Sequence, residues 1–182
     1  MSDKNSVNTS LLKQFTIAAQ NVCAVIERTP ARPDSLNDAI LKAAGGAKKI
    51  LFAEPEFLPK ELFETFRKNP GVICYPIDEQ ISDVPVGVTE AFAGVARTGS
   101  ICVAITPMLS GTVSLFTRMH IAIVRGDTIV PHPRDVFFIE HPLVKKWLKN
   151  FVFITGPSAT ADMGPLVRGV HGPGALHIII LI

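Results

Sequence analysis

The sequence predicts an α/β fold with a mixed, mainly parallel sheet flanked by helices. Short apolar runs alternate with segments of helical period through the first half of the chain. The run from Ala175 to Ile182 is apolar almost throughout, the pattern of a strand covered on both faces. With 182 residues, 47% hydrophobic and only 19% charged, the chain has enough apolar material for the core of one domain.

The elements follow in order. Leu11, Leu12, Phe15, Ala18, Ala19, Val22, Val25 and Ile26 recur at helical spacing, so residues 10–28 read as an amphipathic helix with Ser10 as its N-cap. Thr29-Pro30-Ala31-Arg32-Pro33 interrupts it, which divides the chain into an N-terminal helix and linker (1–33) and the main α/β domain (34–182). A second helix runs through Leu36, Ala39, Ile40 and Ala43 and stops at Gly45-Gly46. Lys49–Ala53 reads as a buried strand, Pro59 as the first turn of a helix carrying Leu62, Phe63 and Phe66, and Val72–Tyr75 as the next strand. Strand, helix, strand points to a parallel crossover. Further strands are expected at 94–97, 101–105, 120–124, 136–139, 151–154 and 176–181, with a short helix at 141–149 whose lysines fall late, where the helix dipole favours them.

Composition excludes several classes. Eighteen basic against 16 acidic residues leave a net charge of +2, with no electrostatic footprint for nucleic acid. Cys23, Cys74 and Cys102 are odd in number and lack C-x-x-C spacing, which argues against a disulfide framework, a zinc ribbon or an iron–sulfur cluster held by this chain, and they read as small core hydrophobes. The polar start is followed by no signal-peptide core, and no run reaches the roughly 20 residues of a membrane span, so a cytoplasmic protein is expected. G-x-S-x-G, H-E-x-x-H and G-x-x-x-x-G-K-[ST] are all missing, which disfavours a serine hydrolase, a zinc hydrolase or a nucleotide kinase.

Small and hydroxylated residues gather where apolar runs end. Thr98-Gly99-Ser100 places two hydroxyls around a glycine, either as an anion-binding turn or as a plain hairpin turn. After Gly156-Pro157, the residues Ser158, Thr160 and Asp162 alternate, so an extended loop would aim them into one cleft; alternatively they cap a short helix. His171, beside Gly172 in Gly169-Val170-His171-Gly172, is either a proton-handling loop imidazole or a solvated one. His120 opens a strand and His177 lies inside one, positions more often filled by packed residues.

Gly156-Pro157-Ser158-Ala159-Thr160-Ala161-Asp162, Gly169-Val170-His171-Gly172-Pro173 and Leu176-His177 together resemble the lactate-utilisation (LUD) domain family. Val86-Gly87-Val88-Thr89, Ala96-Arg97-Thr98-Gly99-Ser100 and Met119–Val124 agree in order and spacing. The resemblance implies the fold shared by ribose-phosphate isomerase, glucosamine-phosphate isomerase and CoA transferases. It also raises His120, since the family carries a histidine there. Family members usually place an acid before the Thr-Gly turn and another after the Ala-Asp pair, where this chain has Arg97 and Gly164-Pro165. Arg97 offers a bidentate clamp for an anion if it faces the cleft, and Glu90 an alternative carboxylate.

The expectation is therefore an accessory, non-redox subunit in the oxidation of lactate to pyruvate. It would bind no cofactor itself, work beside iron–sulfur redox proteins, and possess a small-anion site built from Arg97, Thr98, Gly99, Ser100, His120, Gly156, Ser158, Thr160 and Gly172; a homodimer is compatible with this. The alternative is a free-standing isomerase or acyl-CoA-transferase-like enzyme, with Glu90, Asp162 and His171 as acid–base candidates.

Overall fold

The computed structural model describes residues 2–74, 84–107, 109–162 and 164–182, with side chains from residue 9 onward. The first half contains α1 (Ser2–Asn21), β1 (Val25–Thr29), α2 (Pro33–Ala43), β2 (Ile50–Phe52), a 3-10 turn (Lys60–Phe63) continuing as α3 (Glu64–Arg67), and β3 (Val72–Ile73). Then come β4 (Val86–Ala91), β5 (Ala93–Val95), β6 (Ser100–Ala104), α4 (Ser110–Phe116), β7 (Met119–Arg125) and β8 (Ile129–Val130). A 3-10 segment (Pro133–Phe138), α5 (Pro142–Trp147), β9 (Phe151–Ile154), β10 (Ala159–Thr160), β11 (Val167–Arg168) and β12 (Ala175–Leu181) complete the described elements.

The central sheet runs β1-β12-β7-β4-β2-β3 with every neighbouring pair parallel. Alternate residues of its strands serve opposite cores. Ile121, Ile123, Ile179 and Leu181 join Leu36 and Ile40 of α2 and the rings of Phe63 and Phe66. Ala122, Val124, Leu176, Ile178 and Ile180 pack on the other side with Phe15 and Ala19 of α1 and with Ile101 and Val103 of β6. The second sheet, β8-β5-β6-β9, is antiparallel across β5–β6 and β6–β9 and parallel across β5–β8. Its remaining face, with Val95, Cys102 and Ala104, is closed by Val136 and by Val144 of α5. The expected mixed α/β architecture with a mainly parallel sheet flanked by helices is what forms, including the parallel β2–α3–β3 crossover.

Several expectations change. The first helix ends at Asn21, and Cys23 takes a left-handed conformation (φ 66°), so Val25 and Ile26 leave the helix and enter β1. Their spacing continues the helical pattern, but a β-branched pair after a turn suits a strand beside β12. The strand expected at 136–139 is instead 3-10: Pro133 sits in its first turn, and Asp135 accepts a 2.9 Å bond from the His132 amide. The terminal apolar run forms β12, which lies inside the sheet between β1 and β7. Of the cysteines only Cys102 is buried, which pushes its thiol up to about 12; Cys23 is exposed. Tyr75 lies outside the described residues.

Candidate functional site

Two of the cavities lie at opposite ends of the parallel sheet. The larger, about 700 Å³, lies at the carboxyl ends of β1, β7 and β12, where α/β sheets usually place ligands. Its walls include Leu12, Leu58, Leu62 and Leu181 with the exposed Glu61, and Arg125 and Asp127 satisfy each other: Arg125 donates from Nε to Asp127 at 2.8 Å and from Nη2 at 2.5 Å. The smaller, about 240 Å³, lies at the amino ends of β7 and β12. It is walled by Ser114 and Leu115 of α4, by His120 and Leu176 at the strand starts, and by the 153–158 and 171–173 segments.

His120 is the most informative of these residues. It is 1% exposed, its Nε2 lies 2.8 Å from the Thr89 hydroxyl, and its Nδ1 has no hydrogen-bond partner among the described residues. Burial holds its pKa down at about 4, so the ring is neutral near pH 7. A buried polar atom without a partner carries a penalty of about 1–3 kcal/mol, and an unpaired group at a cavity wall is a place where a ligand restores the balance.

The Gly156–Asp162 region is drawn in by main-chain pairing. The Ser158 amide donates to Pro173 (2.8 Å), and the Ser158 carbonyl accepts from Gly169 (3.0 Å). Ala159–Thr160 forms an antiparallel ladder with Val167–Arg168, so the segment continues as β10 and no helix follows it among the described residues. Ser158 and Gly172 face one another closely: a Cβ on Gly172 would lie 3.2 Å from that of Ser158. His171 is exposed and borders the cavity mouth.

The Thr98-Gly99-Ser100 turn is the β5–β6 hairpin loop, and it meets the same region through a chain of hydroxyls. Thr98 Oγ1 lies 2.7 Å from Ser100 Oγ, which in turn lies 2.7 Å from Thr155 Oγ1. Thr155 lines the cavity, whereas Thr98 and Ser100 support it from behind. Gly99 (φ 67°) faces the last turns of α1, and Gly156 (φ 70°) faces Val22 just past its end. A Cβ on Gly99 would come within 2.2 Å of the Ala19 nitrogen, and one on Gly156 within 2.2 Å of the Val22 carbonyl oxygen. These two glycines let the helix close over both loops.

Four candidates sit elsewhere. Arg97 and Asp162 are exposed and do not line the cavity, and Thr160 Oγ1 accepts a 3.4 Å bond from the Asp162 amide. Glu90 lies toward the carboxyl end of β4, three residues beyond the Gly87 that registers with His120. Its carboxylate accepts from the Glu56 amide, from Phe57 (3.0 Å) and from Leu58 (2.8 Å); desolvation nonetheless raises its pKa to about 7 against the pull of those amides. His177 Nε2 stands 3.4 Å from Glu27, and desolvation lowers its pKa. Sequence reasoning passed over Thr89 as a site residue; the signal was a hydroxyl inside the wholly buried strand β4, on the His120 side of the sheet. No group of His, Cys, Asp and Glu among the described residues is arranged to hold a metal ion.

Known proteins give this geometry a context. A DUF162 family protein from Deinococcus radiodurans shares the fold, with a TM-score of 0.69 over 96% of this chain and 98% of that one at 21% identity. "Lactate utilization protein C" of Geobacillus sp. is 34% identical over 100 residues, which cover 52% of this chain and 42% of that protein. "Lactate utilization protein B" of Bacillus pumilus is 25% identical over 69% of this chain and 26% of its own length. The chain thus spans less than half the length of either curated relative. The LUD domain profile matches residues 62–181, which is most of the sequence and takes in every described residue lining the amino-end cavity, and the chain belongs to the LUD domain family.

Proposed function

We propose that this chain serves a lactate utilisation system as a non-redox component, binding a small organic acid in the cavity at the amino ends of β7 and β12. Electron transfer would then fall to iron–sulfur partner subunits. The names of the similar proteins support the system. One observation carries the binding role: His120, buried and with Nδ1 unpaired among the described residues, lines a cavity whose other walls come from the 153–158 and 171–173 segments. A cavity of about 240 Å³ suits a molecule of few heavy atoms rather than a nucleotide.

A free-standing isomerase or acyl-CoA-transferase-like enzyme needs an acid–base pair against its substrate. Glu90 and Asp162 do not line the cavity that His171 borders, so binding is the role the geometry supports better. A thermal-shift screen with lactate, pyruvate, CoA and sugar phosphates tests the choice. Lactate or pyruvate at 100 times its dissociation constant should add about 2.7 kcal/mol, a rise of roughly 5–11 °C for a chain of this size. Stabilisation by CoA or sugar phosphates alone would favour the enzyme instead.

A further inference from the structure

Among the described residues, the lining of the amino-end cavity contains no lysine, arginine, aspartate or glutamate. Its inner wall carries Leu176 with the buried polar groups of His120 and Ser114, the Ser114 hydroxyl already donating to the Gly111 carbonyl (2.9 Å), while the half-exposed Leu115 and the partly buried Ile154 flank it. The other imidazole, His171, stands at the exposed mouth. A carboxylate driven to the inner wall would lose its hydration without meeting a positive charge, which is costly, whereas an uncharged oxygen there needs only one hydrogen bond. The Thr89 hydroxyl occupies Nε2, so Nδ1 must take the complementary role of donor or acceptor. A ligand hydroxyl satisfies Nδ1 in either tautomer, because it both donates and accepts.

We propose that His120, positioned by Thr89, recognises an uncharged oxygen of the ligand, a hydroxyl above all, while the ligand's carboxylate remains at the mouth beside Ser158 and His171. The site then selects among small acids by their oxygen substituent rather than by their charge. His120 is a specificity-determining residue and Thr89 a positioning residue. This rests on the cavity being a binding site for small organic acids.

Calorimetry with lactate and with propanoate, which lacks the hydroxyl, separates the two ideas. Lactate should bind about tenfold more tightly, the worth of one hydrogen bond to a neutral group. Thr89→Val, which keeps the shape and removes the partner of Nε2, should shrink that preference severalfold. In the unmodified protein with ¹⁵N-labelled histidine, lactate should shift the Nδ1 resonance of His120 and leave the ring neutral. Equal affinity for the two acids, or an unmoved Nδ1 resonance on saturation with lactate, overturns the selection mechanism and leaves the binding reading standing. Failure of both acids to bind overturns the binding reading and this inference with it.

Discussion

Replacing Gly99 by alanine tests whether α1 is part of the site's scaffold. The added Cβ would lie 2.2 Å from the Ala19 nitrogen and 2.5 Å from the Ala18 carbonyl carbon, all main-chain atoms with no flexible end to yield. Ordinary van der Waals contact requires more than an ångström of extra room, so helix and hairpin must separate. Overpacking of this kind costs about 1–3 kcal/mol, and a non-glycine residue at φ 67° adds about 1–2 kcal/mol. The combined loss of about 2–5 kcal/mol corresponds to a fall in Tm of roughly 4–20 °C, measured by thermal and urea denaturation with matched slopes. The same displacement should loosen the Ser100–Thr155 contact and weaken ligand binding at the cavity. A variant within 0.5 kcal/mol of the parent would show that α1 is not held against the hairpin as described.

Arg97→Ala should leave the affinity for lactate or phosphate unchanged within about twofold, because Arg97 is exposed and does not line the cavity; a loss of roughly 1.5–3 kcal/mol in calorimetry would restore it as an anion clamp. Glu90 binds its proton more tightly folded than unfolded, its pKa rising from 4.5 to about 7, so its contribution is fully present below pH 4.5 and disappears as pH rises through about 7. Urea titrations should show a loss on the order of 3 kcal/mol between pH 4.5 and pH 8 relative to Glu90→Gln, and parallel curves for the two proteins would refute that assignment. Glu90→Ala should cost about 3 kcal/mol or more in the same assay, since the amides of Glu56, Phe57 and Leu58 lose their acceptor.

The fold was legible where burial imposed a period. The strands at 50–52, 119–125 and 175–181 and helix α2 show in the sequence because each presents an apolar face or is covered on both sides. Val25–Thr29 was not legible, because a five-residue edge strand with Val25 half exposed carries too little alternation to stand apart from the helix before it. Phe137 and Phe138 misled in the opposite direction. They are aromatic and adjacent, as in a strand, yet both are exposed, and the Pro133 start with its Asp135 bond decides the local geometry.

The site was legible as a set of loops but not as a geometry. Glycines at 99 and 156 look like ligand cradles in one dimension; in three dimensions their missing side chains make room for α1, and the hydroxyls beside them support the cavity wall. His120 moves the other way. A histidine opening a strand reads as a packed residue, and it is packed, but packing leaves one ring nitrogen unpaired among the described residues in a side chain that lines a cavity. The larger cavity at the carboxyl ends has the place that parallel sheets usually give to ligands, yet its arginine and aspartate already satisfy each other. Volume and strand direction favour one end of the sheet, and unmet hydrogen-bonding capacity favours the other. The second identifies a group whose free energy improves when a ligand arrives, and that is the ground for proposing the site at the amino ends of β7 and β12.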